Sequence, residues 1–304
     1  MRIVTLTLSP AFDVHCDVPG FSAERENLVA AYSRGIGGKG INITRALIEN
    51  GTPNLALVVL GDENADDFRR GMDEVGIADR AEILIKGRIR ENFTIHPGEN
   101  QDETRISFKG FTADASLLDR AYALIAPDAD TLVTFTGSLP GGIAADAAEA
   151  FLAKLADAGA KLVIDSKSIP LDMMRRLRPW LIKPNAEEIA AYIGETDTAG
   201  LIAAAKSLHA DGIENALISL GADGAVLCCR EGTFLAKPPR IDARSTIGAG
   251  DSMIAGFIAA EGDARESLRT AIAWGTAACL TEGTNPPKPA DIAEIYKNIT
   301  VTEV

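Results

Sequence analysis

Short uninterrupted apolar runs alternate along this chain with longer stretches whose apolar residues recur at helical spacing. Met1 to Leu8 is rich in β-branched residues and predicts a strand. Gly40 to Asn50 predicts a helix through Ile41, Ala46, Leu47 and Ile48, with a stop at Gly51. Leu55 to Leu60 is continuously apolar, as a buried strand is, and Asp66 to Val75 is helical up to Gly76. The alternation continues with a strand at Thr131–Phe135, a helix at Ala144–Ala158 and a strand at Lys161–Asp165. A strand near Trp180–Lys183 follows, then helices at Ala186–Ile193 and Ala199–His209 and a strand at Ala216–Ser219. Apolar strands separated by helices imply a doubly wound α/β fold, a mostly parallel sheet with helices on both faces.

Two stretches break this rhythm. Residues 12–34 and 88–110 are more polar and alternate at period two, as in Phe93 and Ile95 or Arg105 and Ser107. They predict two hairpin-like excursions that together form a small β-sheet lid. The part after Gly248 is helix-rich. No Pro/Gly/Ser linker, repeat or low-complexity tract divides the chain, so the expectation is one domain over 1–304.

Composition narrows the function. Of the 304 residues, 46% are apolar and 24% charged, ordinary for a globular protein. The net charge of −13 argues against nucleic acid or an anionic membrane as partner, yet leaves room for a small anion held by local Arg, Lys and N–H groups. Cys16, Cys228, Cys229 and Cys279 form no C-x-x-C pair, and His15, His96 and His209 lie at no metal-ligand spacing. The start of the chain lacks a signal-peptide pattern and no apolar run reaches 18 residues; a cytoplasmic protein with reduced thiols is expected.

Five motifs carry candidate chemistry. Ser245-Thr246-Ile247-Gly248-Ala249-Gly250-Asp251 is a small-residue loop that opens an apolar helix, so backbone N–H groups face outward at its positive end. Asp251 in the first turn could accept a proton from an attacking hydroxyl; it could equally cap the helix. Gly35-Ile-Gly37-Gly38-Lys39-Gly40-Ile-Asn42 fits G-x-G-x-x-G, and with Asp62 after the next strand it keeps a dinucleotide-binding reading open. Lys39 inside the fingerprint counts against that reading. Lys183-Pro-Asn185-Ala-Glu187-Glu188 ends a strand and opens a helix, where Asn185 and Glu188 could hold magnesium through water or simply start the helix. Ser219-Leu-Gly221-Ala-Asp-Gly224 predicts a tight turn between strands. Arg90, Asn92 and Arg105 fall in the excursions, where arginine suits bidentate phosphate contact.

In order and content these motifs resemble the ribokinase-like (PfkB) carbohydrate kinases, and within them the phosphofructokinase and tagatose-6-phosphate kinase branch. Thr5-Leu-Thr-Leu-Ser-Pro-Ala-Phe-Asp13, Gly37-Gly38-Lys39-Gly40-Ile-Asn42, Gly137-Ser138-Leu-Pro-Gly-Gly142, Asp165-Ser166 and Thr246 to Asp251 carry the resemblance. It implies Asp251 as catalytic base, with the backbone of Gly248, Ala249 and Gly250 stabilising the transferring phosphoryl. It implies Asp13, Gly37, Gly38, Lys39, Asn42, Asn92 and Ser138 at the sugar and Arg90 and Arg105 at its existing phosphate. Lys183, Asn185, Ser219, Gly221, Gly224 and Thr246 would line the ATP site, with Asn185 and Glu188 near Mg²⁺ through water. A monovalent cation and a homodimer paired through the lids fit the family as well.

Arg105 tilts the expected substrate to fructose 6-phosphate, giving a 6-phosphofructokinase. A 1-phosphofructokinase, a tagatose-6-phosphate kinase and a non-catalytic sugar-binding regulator are the alternatives. Two departures from the branch bear on this: Asn27-Leu28 stands where a basic residue is usual, with Arg25 slightly earlier, and Lys109-Gly-Phe111 replaces a Pro-Gly-Pro-like turn.

Overall fold

A computed structural model describes residues 1–98, 103–194 and 197–304. Residues 99–102, inside the second excursion, lie outside the described residues. In chain order the strands are β1 (Arg2–Thr7), β2 (Ala11–Asp17), β3 (Ala31–Gly37), β4 (Leu55–Gly61), β5 (Arg80–Ile85), β6 (Arg90–His96), β7 (Thr104–Ser107), β8 (Thr131–Thr136), β9 (Lys161–Asp165), β10 (Leu181–Ile182), β11 (Asn215–Ser219), β12 (Ala225–Cys229), β13 (Gly232–Lys237) and β14 (Thr300–Glu303). The helices are α1 (Lys39–Glu49), α2 (Ala65–Glu74), α3 (Ser116–Ile125), α4 (Ala145–Asp157), α5 (Leu171–Leu177), α6 (Ala186–Ile193), α7 (Thr198–Ala210), α8 (Ala249–Ala259), α9 (Ala264–Ala278) and α10 (Pro289–Lys297).

Ten strands make the main sheet in the order β14-β13-β12-β11-β10-β9-β8-β1-β4-β5. From β5 to β11 every pairing is parallel; β12, β13 and β14 extend the sheet antiparallel. The expected doubly wound sheet is therefore present, with an antiparallel edge in which Ser219 to Gly224 makes the predicted turn between β11 and β12. Successive strand residues enter opposite layers. Val4, Val133 and Ile164 join one apolar cluster with α2 to α7, while Ile3, Leu132 and Val163 join a second with α8 and α9. That is why these strands read as unbroken apolar runs rather than as alternation.

The two polar excursions meet as expected. A four-stranded sheet runs β3-β2-β6-β7, with β2 and β6 parallel from Ala11 beside Arg90 to Asp17 beside His96. Strands β3 and β7 are its edges and are largely exposed. Chain order places this lid over one end of the main sheet. It leaves the main sheet after β1 and again after β5, and returns through α1 and α3. Among the described residues no helix is long and apolar enough to cross a membrane.

Candidate active site

Parallel strands leave their carboxyl ends as the natural ligand edge of such a sheet. Here β1, β8, β9 and β10 end in a cleft roofed by the lid, a cavity of about 350 Å³. One end of it is built on α8. Gly248 is the N-cap of that helix at φ 81°, a left-handed conformation that glycine adopts without strain. Gly250 follows in the first turn, where a Cβ would come within 3.0 Å of the Lys183 ammonium. The small loop thus keeps the helix start open, with first-turn N–H groups that have no partner inside the helix.

Asp251 does not cap this helix; its N-cap is Gly248, and among the described residues no side-chain cap bond is made there. The Asp251 carboxylate is buried and accepts a hydrogen bond from Asn42 Nδ2 at 2.8 Å, so helices α1 and α8 meet at this group. Burial, against the pull of Lys39, pushes its pKa up from 3.8 to about 6. A carboxylate that shares protons near neutrality can serve as a general base.

Beside it lies a second buried carboxylate. Asp165, the last residue of β9, accepts a hydrogen bond from Lys39 Nζ at 2.9 Å, and Lys183 Nζ stands 3.7 Å from the same oxygen. Burial works against its ionisation, but Lys183 and Lys39 outweigh it and hold the carboxyl below its ordinary pKa. Burial likewise opposes the Lys39 ammonium; Asp165 and then Asp251 reverse that and raise its pKa.

The opposite end belongs to the lid. Asp13 on β2 accepts from Asn92 Nδ2 on β6 at 3.0 Å and lies 3.6 Å from the Arg105 guanidinium on β7. Gly37 is held to glycine by this carboxylate, since a Cβ there would fall 2.0 Å from Asp13 Oδ2. Arg90 is half-buried at the same end, and burial lowers its pKa from the usual guanidinium range. Its Nε and the Oδ1 atoms of Asn92 and Asn42 are buried without a partner among the described residues, three polar atoms for a polar ligand to satisfy.

Of the residues singled out from sequence, Asp13, Gly38, Lys39, Asn42, Arg90, Asn92, Arg105 and Ser138 line this one cavity, as do Lys183, Gly248, Gly250 and Asp251. The remainder sit around it. Gly37 and Ala249 are the chain neighbours of lining residues, and Thr246 is exposed on the loop before α8. Asn185 and Ser219 bridge the ends of β10 and β11, and exposed Gly221 continues that strip. Gly224 is different: it is buried, and a Cβ would meet the Ala236 carbonyl at 1.9 Å, so strand packing accounts for its glycine. Asn185 and Glu188 form a complete capping box on α6, with bonds of 2.7 and 3.0 Å. Each still has oxygen lone pairs to offer a hydrated cation, and no cluster of three metal-ligating side chains exists among the described residues.

Sequence reasoning passed over Asp165 and Thr284 as site residues. Asp165 carried a signal, a lone carboxylate at the carboxyl end of a central parallel strand. Thr284 carried none; Arg45 on α1 brings it in by donating to its carbonyl at 3.3 Å. The dinucleotide reading fails on topology. Gly35 and Gly37 belong to lid strand β3 rather than to a turn after a main-sheet strand, and the Asp62 carboxylate is engaged with the Gly87 N–H. Asn27 also has a local explanation: it holds the turn at Ser22, while Arg25 donates to the Gly20 carbonyl.

The model of the pfkB family carbohydrate kinases matches residues 6–291. A 1-phosphofructokinase of Rhodobacter capsulatus is 35% identical, over 99% of this chain and 98% of its own. A 1-phosphofructokinase of Escherichia coli K12 is 33% identical, over 84% and 83%. Among solved structures, the phosphofructokinase-2 of Escherichia coli in complex with substrates and products superposes with a TM-score of 0.91 at 25% identity, covering 98% of this chain and 99% of that one.

Proposed function

The chain belongs to the pfkB family of carbohydrate kinases, and we propose that it transfers the γ-phosphoryl group of ATP to the free primary hydroxyl of fructose 1-phosphate. That it is a sugar-phosphate kinase follows from the family and its relatives. The choice of ketose rests on the 35% identity to a 1-phosphofructokinase across both whole chains, and it replaces the tilt toward fructose 6-phosphate drawn from Arg105 alone.

The transfer chemistry rests on one observation: a buried carboxylate with a raised pKa, Asp251, beside an open helix N-terminus. In this reading the sugar lies against Asp13, Asn92, Asn42 and Lys39, with its existing phosphate at Arg90 and Arg105. Its free hydroxyl then points to Asp251, which takes the proton as the oxygen attacks in line. The Gly248–Gly250 backbone and Lys183 face the developing negative charge. ATP fits the strip from Lys183 to Gly221. Mg²⁺, held by phosphate oxygens and through water by Asn185 and Glu188, would offset phosphate charge. The lid keeps water from the reacting centre.

Assembly through the lid fits the same reading. The lid presents unpaired edge strands and exposed Leu28, Val29, Tyr32, Ile106 and Phe108, an apolar surface suited to a second copy.

Fructose 6-phosphate remains the second reading because Arg105 stands beside Asp13 at the phosphate end. Steady-state rates with ATP and Mg²⁺ on fructose 1-phosphate, fructose 6-phosphate and tagatose 6-phosphate decide between them. The highest kcat/KM is expected on fructose 1-phosphate; a higher value on either 6-phosphate overturns the assignment. Repeating the winning assay in K⁺ and in Na⁺ tests the monovalent cation, and sedimentation velocity tests the dimer.

A further inference from the structure

Two lysines and two carboxylates share the floor of the cavity, yet they are not paired at random. Both ammonium groups converge on one oxygen, Asp165 Oδ2, at 2.9 Å from Lys39 and 3.7 Å from Lys183. Asp251 keeps only a neutral donor, the Asn42 amide at 2.8 Å. Lys39 opens α1 on the sugar side, and Lys183 follows β10 beside the phosphoryl helix, with its ammonium against Gly250.

We propose that Asp165 is a positioning residue for phosphoryl transfer, tethering Lys39 and Lys183 and so keeping both from pairing with Asp251. Side chains as long as lysine reach any carboxylate within a few ångströms, and a direct pair with Asp251 would occupy the oxygen that must take the hydroxyl proton. It would also lower that group's proton affinity. Asp165 removes both effects. Its own charge repels that of Asp251, while its fixed place at a strand end keeps the two cations where phosphate charge arrives. Asp165, Lys183 and Asp251 are all buried, so little water screens these interactions.

The inference rests on Asp251 acting as the base, and the test separates the two. Asp251→Asn losing most of the rate supports the base; an unchanged rate refutes that reading. Asp165→Asn is then compared with wild type across pH. Freed lysines and the lost repulsion both lower the proton affinity of Asp251. The acid limb of kcat/KM should therefore move from near pH 6 to lower pH, while the plateau of kcat falls by about 10- to 100-fold. A limb that stays put, with Asp251→Asn inactive, overturns the proposal, as does recovery of the full rate on adding Mg²⁺, which would make Asp165 a metal-site residue. Asp165→Glu covers the case in which the neutral variant does not fold. It keeps the charge but moves it by one methylene, so the limb should hold while kcat falls about tenfold or more at near-constant KM for both substrates. An undiminished kcat in this variant refutes positioning.

Discussion

The two ends of the cavity are made in different ways. At the transfer end, Asp251, Asp165 and Lys183 are buried, and each is held from at least two elements: α1 and α8, or β9, β10 and α1. At the lid end the cations are more open. Arg105 is 46% exposed on an edge strand and meets Asp13 only at 3.6 Å. In the proposed reaction the difference separates two tasks. Proton transfer requires fixed geometry and a proton affinity tuned by burial, which only packed elements supply. Recognition of a sugar phosphate needs cations that can close on an arriving anion, which an exposed sheet edge allows. Changes at the first end should therefore act on kcat, and changes at the second on KM.

The largest effect tests the first half of that contrast. Asp251→Asn should lower kcat by about 10²–10⁴-fold with little change in KM for the sugar phosphate. The same substitution should stabilise the fold at pH 7.5. A carboxyl whose pKa rises from 3.8 to about 6 on folding binds a proton more tightly in the native state, so its contribution is present at low pH and is lost as pH rises through that window. A neutral amide escapes that cost, and the unfolding temperature should rise by about 2–5 °C. Slow turnover together with an unchanged or lower unfolding temperature contradicts a buried, ionised base. In the wild-type protein kcat/KM should fall about tenfold per pH unit below pH 6 as Asp251 takes up its proton.

The lid end should respond through KM. In Gly37→Ala the new methyl group would lie 2.0 Å from Asp13 Oδ2 and push that carboxylate out of the proposed sugar site, so KM for the sugar phosphate should rise by about 10- to 100-fold. Arg105→Ala removes the proposed phosphate contact, but from an exposed position. A rise of about tenfold in KM with kcat within about threefold is expected. Should Arg105→Ala lower kcat as much as KM rises, the arginine contributes to the transition state and the division between the two ends is wrong.

How much of this was legible in the sequence follows the same divide. Motifs that bring local backbone to the site, such as Gly248-Ala249-Gly250-Asp251 and Gly37-Gly38-Lys39, were readable because the loop chemistry sits in consecutive residues. The parallel strands were readable because burial on both faces leaves an unbroken apolar run. Strand β5, with Arg80 and Glu82 on a half-exposed edge, shows neither period and so gives no strand signal. Asp165 had a signal of its own as a carboxylate at a strand end, but its role as the meeting point of two lysines left none, for another reason. Its partners are 126 residues upstream and 18 residues downstream, and nothing local in Asp165-Ser166 reports that Lys39 and Lys183 converge there. Asn185-Ala-Glu187-Glu188 shows the converse: a local capping box and a metal-binding pair share one spelling, and the structure contains the box.

The smallest expected effect probes whether the lid's frame, as distinct from its arginines, sets recognition. Arg34 on β3 lies over the Phe12 ring at 3.5 Å and donates twice to the Glu91 carboxylate on β6, at 2.9 and 3.1 Å. The pair ties an edge strand across β2, and both side chains are about a third exposed. Exposed ion pairs contribute about 1 kcal/mol or less, and salt weakens them further. Glu91→Gln should therefore lower stability by no more than about 1 kcal/mol in urea unfolding, leaving both kcat and KM within about twofold. A KM rise as large as that in Arg105→Ala would mean that the edge strand's position, rather than the charge it carries, selects the substrate.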